Sequence, residues 1–148
     1  MRDCGRDYIC VIGSLNYDII MKQKRMPLLG ETYTADSITY SGGGKGANQA
    51  VQCAKLGIDT IMVGKVGRDA FGDTLVDKLK DYGVDCSCIG RSGSPTGVGV
   101  VHALEDGTVY ASIITGANFD ITSREIDGLD ELVRSSRIII LQLEIPTG

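Results

Sequence analysis

A run of three glycines, Gly42–Gly44, directly precedes a helical pattern that extends from about Lys45 to Leu56. Glycine has no Cβ, so this run allows a tight turn and a close approach of the backbone to another segment or to a ligand. Gly57 follows the pattern and is placed to end the helix. The chain therefore contains a glycine turn that opens into a helix, and the rest of the fold has to be arranged around it.

Apolar runs at positions 8–12, 60–63 and 137–143 have the length and composition of buried strands. Helical patterns lie between them, and strands that alternate with helices indicate a parallel sheet of the α/β class. Two regions rich in Thr and Tyr, at about 16–40 and 86–114, carry strand patterns without helices. We expect the strands of these two regions to form a separate antiparallel flap.

Two further helices are indicated by their caps. Asp69 is placed to cap a second helix. Four large side chains fall on one face of this helix: Phe71, Leu75, Leu79 and Tyr82. Thr122 and Glu125 form a capping box for a third helix, which we expect to extend to about Val133.

The composition of the 148 residues fits one domain and excludes several functional classes. A formal net charge of −4 opposes attraction to phosphate backbones, so we expect no nucleic-acid partner. No stretch approaches the ~18 consecutive apolar residues of a membrane span, so we expect no membrane partner. Five cysteines without a Cys-x-x-Cys motif, and a single histidine in an apolar run (His102), predict reduced thiols, a cytoplasmic protein and no metal site.

The glycine turn fits some ligand-binding loops better than others. A Walker A loop requires Ser or Thr after its lysine, but Gly46 follows Lys45. A dinucleotide fingerprint is met by Gly42, Gly44 and Ala47, but no acidic residue ends the strand that follows the helix. The leading interpretation is a loop that brings backbone N–H groups close to a polyhydroxy ligand, and the dinucleotide loop and a plain turn are the alternatives. Lys45 favours a ligand-facing loop, because a cation in the first helical turn opposes the helix dipole unless it faces an anion.

Asn16 and Asp18 form a second candidate site. On an extended segment, residues i and i+2 project to the same face. An amide beside a carboxylate can accept hydrogen bonds from adjacent hydroxyl groups and donate one back, which suits a vicinal diol. A turn stabilised by an Asx side chain is the alternative. Glu144 directly follows the last apolar strand, where open α/β folds place their ligands.

The segment from Gly43 to Ala50, Gly-Gly-Lys-Gly-Ala-Asn-Gln-Ala, together with the upstream Gly13-Ser-x-Asn16-x-Asp18, resembles the N-terminal signature of the PfkB-type carbohydrate kinases. It is most similar to the ribokinase group of that family. Further pieces follow in the family's order: Gly30-Glu-Thr32, Gly57, Gly67, Thr96-Gly-Val98, Gly116-Ala-Asn118 and Gln142-Leu-Glu144. The resemblance covers nearly the whole chain. It implies a ribokinase-like three-layer α/β/α sandwich with a small β-sheet lid.

The resemblance also implies roles for individual residues. The sugar would be held by Asn16, Asp18, Gly44, Lys45, Asn48 and Glu144. Gly99, Val101 and Ile113 would be lid residues that cover the sugar, within lid strands at about 16–40 and 86–114. The family's Gly-Ala-Gly-Asp stretch, which supplies the catalytic base, is missing from the chain, so we expect no catalytic residue here. Residues 1–148 would be the N-terminal part of a single domain whose C-terminal nucleotide-binding half is absent.

The activity implied for a full-length relative is transfer of the ATP γ-phosphate to a sugar hydroxyl, with D-ribose converted to ribose 5-phosphate. Its cofactors would be ATP, Mg²⁺ and a monovalent cation. Two copies of the protein would form a homodimer through their lid strands. Other sugar or nucleoside kinases of the family are the nearest alternative. A non-catalytic sugar-binding protein that dimerises through its lid, and a dinucleotide-binding oxidoreductase domain, belong to other classes. We expect the 148-residue chain alone to be inactive.

Overall fold

The strands of the chain are divided between two four-stranded sheets in the computed structural model, which describes residues 7–147. In chain order the elements are β1 (Ile9–Ile12), β2 (Asn16–Gln23), β3 (Ser37–Gly43), α1 (Lys45–Lys55), β4 (Thr60–Gly67), α2 (Ala70–Asp81), β5 (Asp85–Ser92), β6 (Gly97–Leu104), β7 (Val109–Ile114), a 3₁₀ turn (Gly116–Asp120), α3 (Ser123–Asp127), α4 (Asp130–Ser135) and β8 (Ile138–Leu141). The first sheet has the order β5-β4-β1-β8 and the second the order β3-β2-β6-β7.

The first sheet is parallel throughout, as the alternation of strands and helices predicts. Alternate residues of its central strand β1 pack on opposite faces. Ile9 and Val11 join the core formed with α1 and α2, whereas Cys10 and Ile12 join a second core with the segment that contains α3 and α4. Burying such a side chain contributes roughly 1.5–3 kcal/mol. The sheet therefore lies between two helical layers, and the predicted α/β/α sandwich is confirmed.

The first two helices begin at the residues that the sequence predicts. Helix α1 starts at Lys45, directly after the glycine turn. The Asp69 side chain caps α2 by accepting a hydrogen bond of 2.8 Å from the Gly72 backbone N–H. On the predicted apolar face, Leu75 and Leu79 are buried. Phe71 and Tyr82, at the two ends of that face, remain partly exposed.

The third predicted helix is divided into two short ones. The capping box of Thr122 and Glu125 is present, but α3 ends at Asp127 and α4 begins at Asp130. Gly128 is unfavourable inside a helix by about 1 kcal/mol relative to alanine. The break lets Leu129 pack against the second core. No helix in residues 7–147 has the length and apolar character needed to cross a membrane.

The second sheet is mixed, whereas the sequence predicts an antiparallel flap. The outer pairs β2–β3 and β6–β7 are antiparallel, but the central strands β2 and β6 are parallel. Both central strands follow strands of the first sheet, β1 and β5, which themselves point in the same direction. The parallel pairing of β2 and β6 is therefore a consequence of how the chain leaves the first sheet.

Two boundaries of the predicted flap are wrong. Residues 86–92 belong to β5 in the first sheet. Helix α2 is the crossover that connects β4 to β5, and the two strands pair in parallel. Residues 32–36 are irregular, and β3 begins only at Ser37. The loop before β3 is folded on itself, because Glu31 accepts hydrogen bonds from the Arg25 guanidinium and from the Leu28 backbone N–H.

Strand β8 is shorter and more exposed than predicted. It covers four residues instead of the expected 137–143, and it pairs with β1 along one edge only. Ile138 and Leu141 are 51% and 64% exposed. The apolar composition of this strand therefore does not correspond to burial in the chain described here.

The cysteines of the described residues carry free thiols, as the sequence predicts. Burial raises the pKa of Cys10 and of Cys86 to about 11, so both thiols are protonated at neutral pH and are poor nucleophiles. Cys4 lies outside the described residues.

Candidate functional site

The predicted binding residues converge where the two sheets join. A three-residue connection separates the end of β1 from Asn16, the first residue of β2, and Asn16 pairs with Gly43 at the end of β3. On its other side Asn16 pairs with Gly97 at the start of β6. Glu144 lies just beyond the carboxyl end of β8. The site is thus at the carboxyl ends of parallel strands, where open α/β sheets bind ligands.

Two glycines make room for the carboxylate of Asp18. Gly99 is the register partner of Asp18 on β6, and Gly43 lies on the neighbouring strand β3. A Cβ at either glycine would overlap the Asp18 carboxylate. Any other residue at these positions would therefore displace the carboxylate, and the two glycines hold it in the cleft between the strands.

The Asp18 carboxylate is an acceptor without a donor of its own. Burial raises its pKa above the ordinary value, and the nearby charge of Glu144 raises it further. No hydrogen bond to this carboxylate is formed within residues 7–147, and none contributes to its pKa. Partial burial without a protein donor makes the ionised carboxylate less favourable than it would be in water. A ligand that supplies hydroxyl groups would relieve this cost.

Glu144, in contrast, is fully engaged. It accepts a hydrogen bond of 2.6 Å from Ser14 Oγ and forms an ion pair with Lys45 Nζ. Burial alone would raise the pKa of Glu144, but the hydrogen bonds from Lys45 and Ser14 outweigh it and hold that pKa below its ordinary value. The anion that Lys45 faces in the free chain is therefore this carboxylate. Lys45 itself is largely exposed and can turn toward a ligand.

Gly44 allows the first turn of α1 to approach the loop between β1 and β2. Its φ is +89°, a conformation that residues with side chains rarely adopt. A Cβ would also lie 2.7 Å from Ser14 O and from Asn16 N. The approach brings the Ala47 N–H within 3.0 Å of Ser14 O. The glycine turn is therefore required by the packing of this site, whether or not it contacts a ligand.

Asn118 and Ser14 belong to the site but were not among the predicted binding residues. Asn118, in the 3₁₀ turn after β7, is 1% exposed and donates a hydrogen bond of 2.7 Å to Asn16 Oδ1. Ser14 is equally buried and connects Glu144 to the Gly46 N–H. Both residues lie in motifs that the resemblance includes, and this was the available signal.

The remaining predicted residues lie around this centre. Gly99 and Ile113 are cross-strand partners, and Val101 pairs with Ile20, so all three share the sheet face of Asp18. Asn48 is exposed on α1. It lines a cavity of about 540 Å³ together with Gly43, the glycine beside Asp18, and the described lining of this cavity includes none of Asn16, Asp18 and Glu144.

The start of α1 and the acidic residues of the described part of the chain bear on whether a nucleotide or a metal ion could be held here. The first N–H groups of α1 are used internally, because Lys45 N donates to Glu144 and Gly46 N donates to Ser14 Oγ, each over 3.4 Å. Across residues 7–147, no group of three or more His, Cys, Asp or Glu side chains is placed to hold a metal ion.

The layered fold is that of an α/β protein, and polar side chains gather at the strand ends beside its second sheet. This is the edge at which open α/β sheets bind their ligands. The sequence matches the profile of the pfkB family carbohydrate kinase over residues 6–145. The chain belongs to this family.

Similar proteins include ribokinases and deoxyribokinases. The ribokinase of Lactococcus lactis is 35% identical over 139 residues, which cover 93% of this chain and 46% of that protein. The deoxyribokinase of Salmonella typhi is 36% identical over 138 residues, which cover 93% and 45%. The structure of Arabidopsis thaliana ribokinase complexed with ribose and ATP has a TM-score of 0.83 at 37% identity, with 96% of this chain and 47% of that chain covered. The chain spans about half the length of the curated relatives it matches, and the predicted ribokinase-like fold is confirmed.

Proposed function

We propose that this chain is the sugar-binding half of a ribokinase-type carbohydrate kinase and that D-ribose occupies the cleft beside Asp18. Together with a nucleotide-binding half, it would transfer the ATP γ-phosphate to the primary hydroxyl and form ribose 5-phosphate. The observation that carries this proposal is the Asp18 carboxylate, which is partly buried, accepts no hydrogen bond within residues 7–147 and lies between two glycines. A vicinal diol supplies the donors that this carboxylate lacks.

Each predicted residue has a distinct part in this proposal. Asp18 accepts hydrogen bonds from sugar hydroxyls, and Asn16 lies beside it on the same face of β2. Gly44 lets the backbone approach the sugar, and Lys45 and Glu144 close the cleft at the start of α1. Asn48 contacts the sugar from the next turn of α1. The second sheet acts as a lid, in which Gly99, Val101 and Ile113 cover the sugar.

The nearest alternative substrate is 2-deoxy-D-ribose, because deoxyribokinases are as similar to this chain as ribokinases are. Phosphorylation of a different sugar or of a nucleoside is the broader alternative within the family. A protein that binds sugar without catalysing a reaction is the alternative from another functional class, since the polar cleft could bind a sugar without a nucleotide. The candidate kinases differ from one another in the ligand that they bind. The non-catalytic protein differs from all of them because it would show no turnover.

A calorimetric titration distinguishes the ligands. We expect D-ribose to bind more tightly than 2-deoxy-D-ribose, D-fructose and adenosine. Hydrogen bonds to a charged partner contribute ~1.5–3 kcal/mol, so Asp18→Ala is expected to weaken ribose binding by about 10- to 150-fold. Asp59→Ala, an exposed position before β4, is the matched control and is expected to leave affinity unchanged. An Asp18→Ala affinity within twofold of the wild type would refute the proposed site.

We also propose that the 148-residue chain does not phosphorylate sugar by itself. Phosphoryl transfer requires a positioned base, donors around the γ-phosphate and a bound metal nucleotide. Among residues 7–147 we assign only Lys45 to meet a transferred phosphate, while Asp18 and Glu144 are assigned to holding the sugar. ATP, Mg²⁺ and any monovalent cation would be bound by the other half. ADP release from ribose, ATP and Mg²⁺ is expected at background, and turnover that Lys45→Ala abolishes would contradict this.

A homodimer through the second sheet is part of the proposal. The sheet face opposite Asp18 carries Ile38, Tyr40 and Tyr110, each about half exposed, and exposed strands of this kind are usually covered in solution. Light scattering at tens of micromolar is expected to give a dimer. Tyr40→Glu should yield a monomer, whereas Thr39→Glu, on the opposite face, should not. A monomeric wild type would contradict the dimer.

We place the protein in the cytoplasm, because its described cysteines are free thiols, as is usual for proteins of reducing compartments. Retention of the thiols as reduced groups in protein isolated under non-reducing, alkylating conditions would support this assignment. Recovery of an oxidised disulfide form would contradict it.

A further inference from the structure

The side chain of Asn118 connects the 3₁₀ turn after β7 to the start of β2. Its Oδ1 accepts a hydrogen bond of 2.8 Å from Leu15 N, and its Nδ2 donates to Leu15 O at 3.1 Å. The same Nδ2 donates to Asn16 Oδ1 at 2.7 Å. Asn118 is 1% exposed and Asn16 is 3% exposed, so these bonds are shielded from water. The proposed sugar-binding function assigns no role to Asn118.

These contacts determine the orientation of both amide groups. A backbone N–H can only donate and a carbonyl oxygen can only accept, so Leu15 fixes Asn118 with Oδ1 on one side and Nδ2 on the other. One Nδ2 proton is directed to Leu15 O, and the second is directed to Asn16. The Asn16 atom that meets this proton must be an acceptor, which is Oδ1. The orientation of Asn16 is therefore set by a backbone peptide through Asn118.

With its Oδ1 directed to Asn118, Asn16 turns its Nδ2 group the other way and presents it to a ligand as a donor. No hydrogen bond from Asn16 Nδ2 is formed within residues 7–147, and the atom is not among the buried unpaired ones. Asn16 and Asp18 lie two residues apart on β2 and share a face. The cleft therefore presents a donor beside an acceptor.

We infer that Asn118 is a positioning residue that fixes Asn16 as a hydrogen-bond donor next to the acceptor Asp18. The effect of Asn118 on sugar affinity rests on the proposed function, whereas its effect on the orientation of the Asn16 amide does not. The pair then recognises two adjacent oxygens of a ligand: a hydroxyl that donates a hydrogen bond to Asp18, and an oxygen that accepts one from Asn16. If the Asn16 amide could turn freely, the same position would accept either a hydrogen-bond donor or a hydrogen-bond acceptor of the ligand.

The first experiment measures side-chain amide hydrogen exchange by ¹⁵N NMR in the wild-type chain without ligand. Both protons of Asn118 Nδ2 are bonded and buried, so we expect them to exchange at least about 10-fold more slowly than those of Asn16 Nδ2. Equal protection of the two amides would overturn the inference, because Asn16 Nδ2 would then be bonded within the protein. This measurement requires neither a variant nor a sugar.

The second experiment is a double-mutant cycle with D-ribose affinity as the readout. Asn118→Ala is expected to weaken binding by about 10-fold in the wild type and to change nothing further in an Asn16→Ala background. An equal loss in both backgrounds would mean that Asn118 acts only through general structure, and would overturn the inference. Phe119→Ala, an exposed neighbour in the same turn, is the control and is expected to leave affinity unchanged.

The two experiments separate failure of the inference from failure of the proposed function. If the wild-type chain binds none of the tested sugars, the proposed function fails, and the amide exchange alone decides the role of Asn118. If ribose binds but Asn118→Ala leaves affinity unchanged while the protein stays folded, the proposed function stands and the inference fails.

Discussion

The two sheets of this molecule differ in what surrounds their strands. In the first sheet, helical segments pack against both faces of β1, and all four residues of β1 are buried. In the second sheet, every residue of β7 is exposed, and β3 is exposed over its first half. The polar residues of the proposed site begin on β2, which runs from the first environment into the second.

This difference separates stability from binding. The first sheet derives its stability from buried apolar side chains. The second sheet places glycines where side chains could pack, and between them it holds the desolvated Asp18 carboxylate. Groups that are unfavourable in the free protein are typical of sites that bind a ligand. Substitutions in the two sheets should therefore have different consequences.

The largest expected effect is in the first sheet. Met62 on β4 is fully buried in the core with α1 and α2, so Met62→Ala should lower the free energy of unfolding by about 2–5 kcal/mol. Ile113 on β7 is 51% exposed, and Ile113→Ala should cost only about 1 kcal/mol. Urea unfolding of both variants measures the two values. Equal losses would contradict the division between the sheets.

The parts of the fold that the sequence predicts correctly depend on residues close together in the chain. The glycine turn before Lys45, the Asp69 cap and the Thr122 capping box are of this kind. The placement of β5 is different, because its partner is decided by how the strands pair and not by its own sequence. The local pattern of residues 86–92 therefore could not show which sheet they would join.

The site, like the fold, was predictable where the signal lies in residues close together in the chain. Asn16, Asp18 and Glu144 are polar residues at the ends of apolar strands, and the motif resemblance singled them out. Ser14 and Asn118 lie in the same motifs, but their hydrogen-bond partners are 130 and 102 positions away, so the sequence did not show what these two side chains contact. Only the folded chain brings these buried polar groups together.

The next expected effect concerns the glycines beside Asp18. Gly99→Ala would place a Cβ against the Asp18 carboxylate and should weaken ribose binding by at least about 10-fold, or ~1.4 kcal/mol. Gly93→Ala is the matched control, because nothing lies within 4 Å of its Cβ. Calorimetry of both variants tests this. Equal ribose affinities for the two variants would mean that Gly99 does not make room for the carboxylate.

The smallest expected effect is a pair of opposite pH dependences. The folded-state pKa of Asp18 is raised, so its contribution to stability is lost as the pH rises through that value. Asp18→Asn should therefore gain stability relative to the wild type between acidic and neutral pH. The pKa of Glu144 is lowered, so its contribution is lost as the pH falls, and Glu144→Gln should lose stability over the same rise.

Urea unfolding at a series of pH values from acidic to neutral measures both differences. The account requires the two variants to diverge from the wild type in opposite directions as the pH rises. Parallel curves, or a loss of stability for Asp18→Asn, would show that the Asp18 carboxylate is not held in an unfavourable environment.

The central claim is that sugar binds where the two sheets join, and NMR of the ¹⁵N-labelled chain titrated with D-ribose tests it most directly. The account predicts that the largest backbone shifts fall at 16–18, 43–46, 97–99 and 144. Shifts concentrated instead at the cavity lined by Lys55, Lys78 and Tyr82, with none at Asp18, would contradict it.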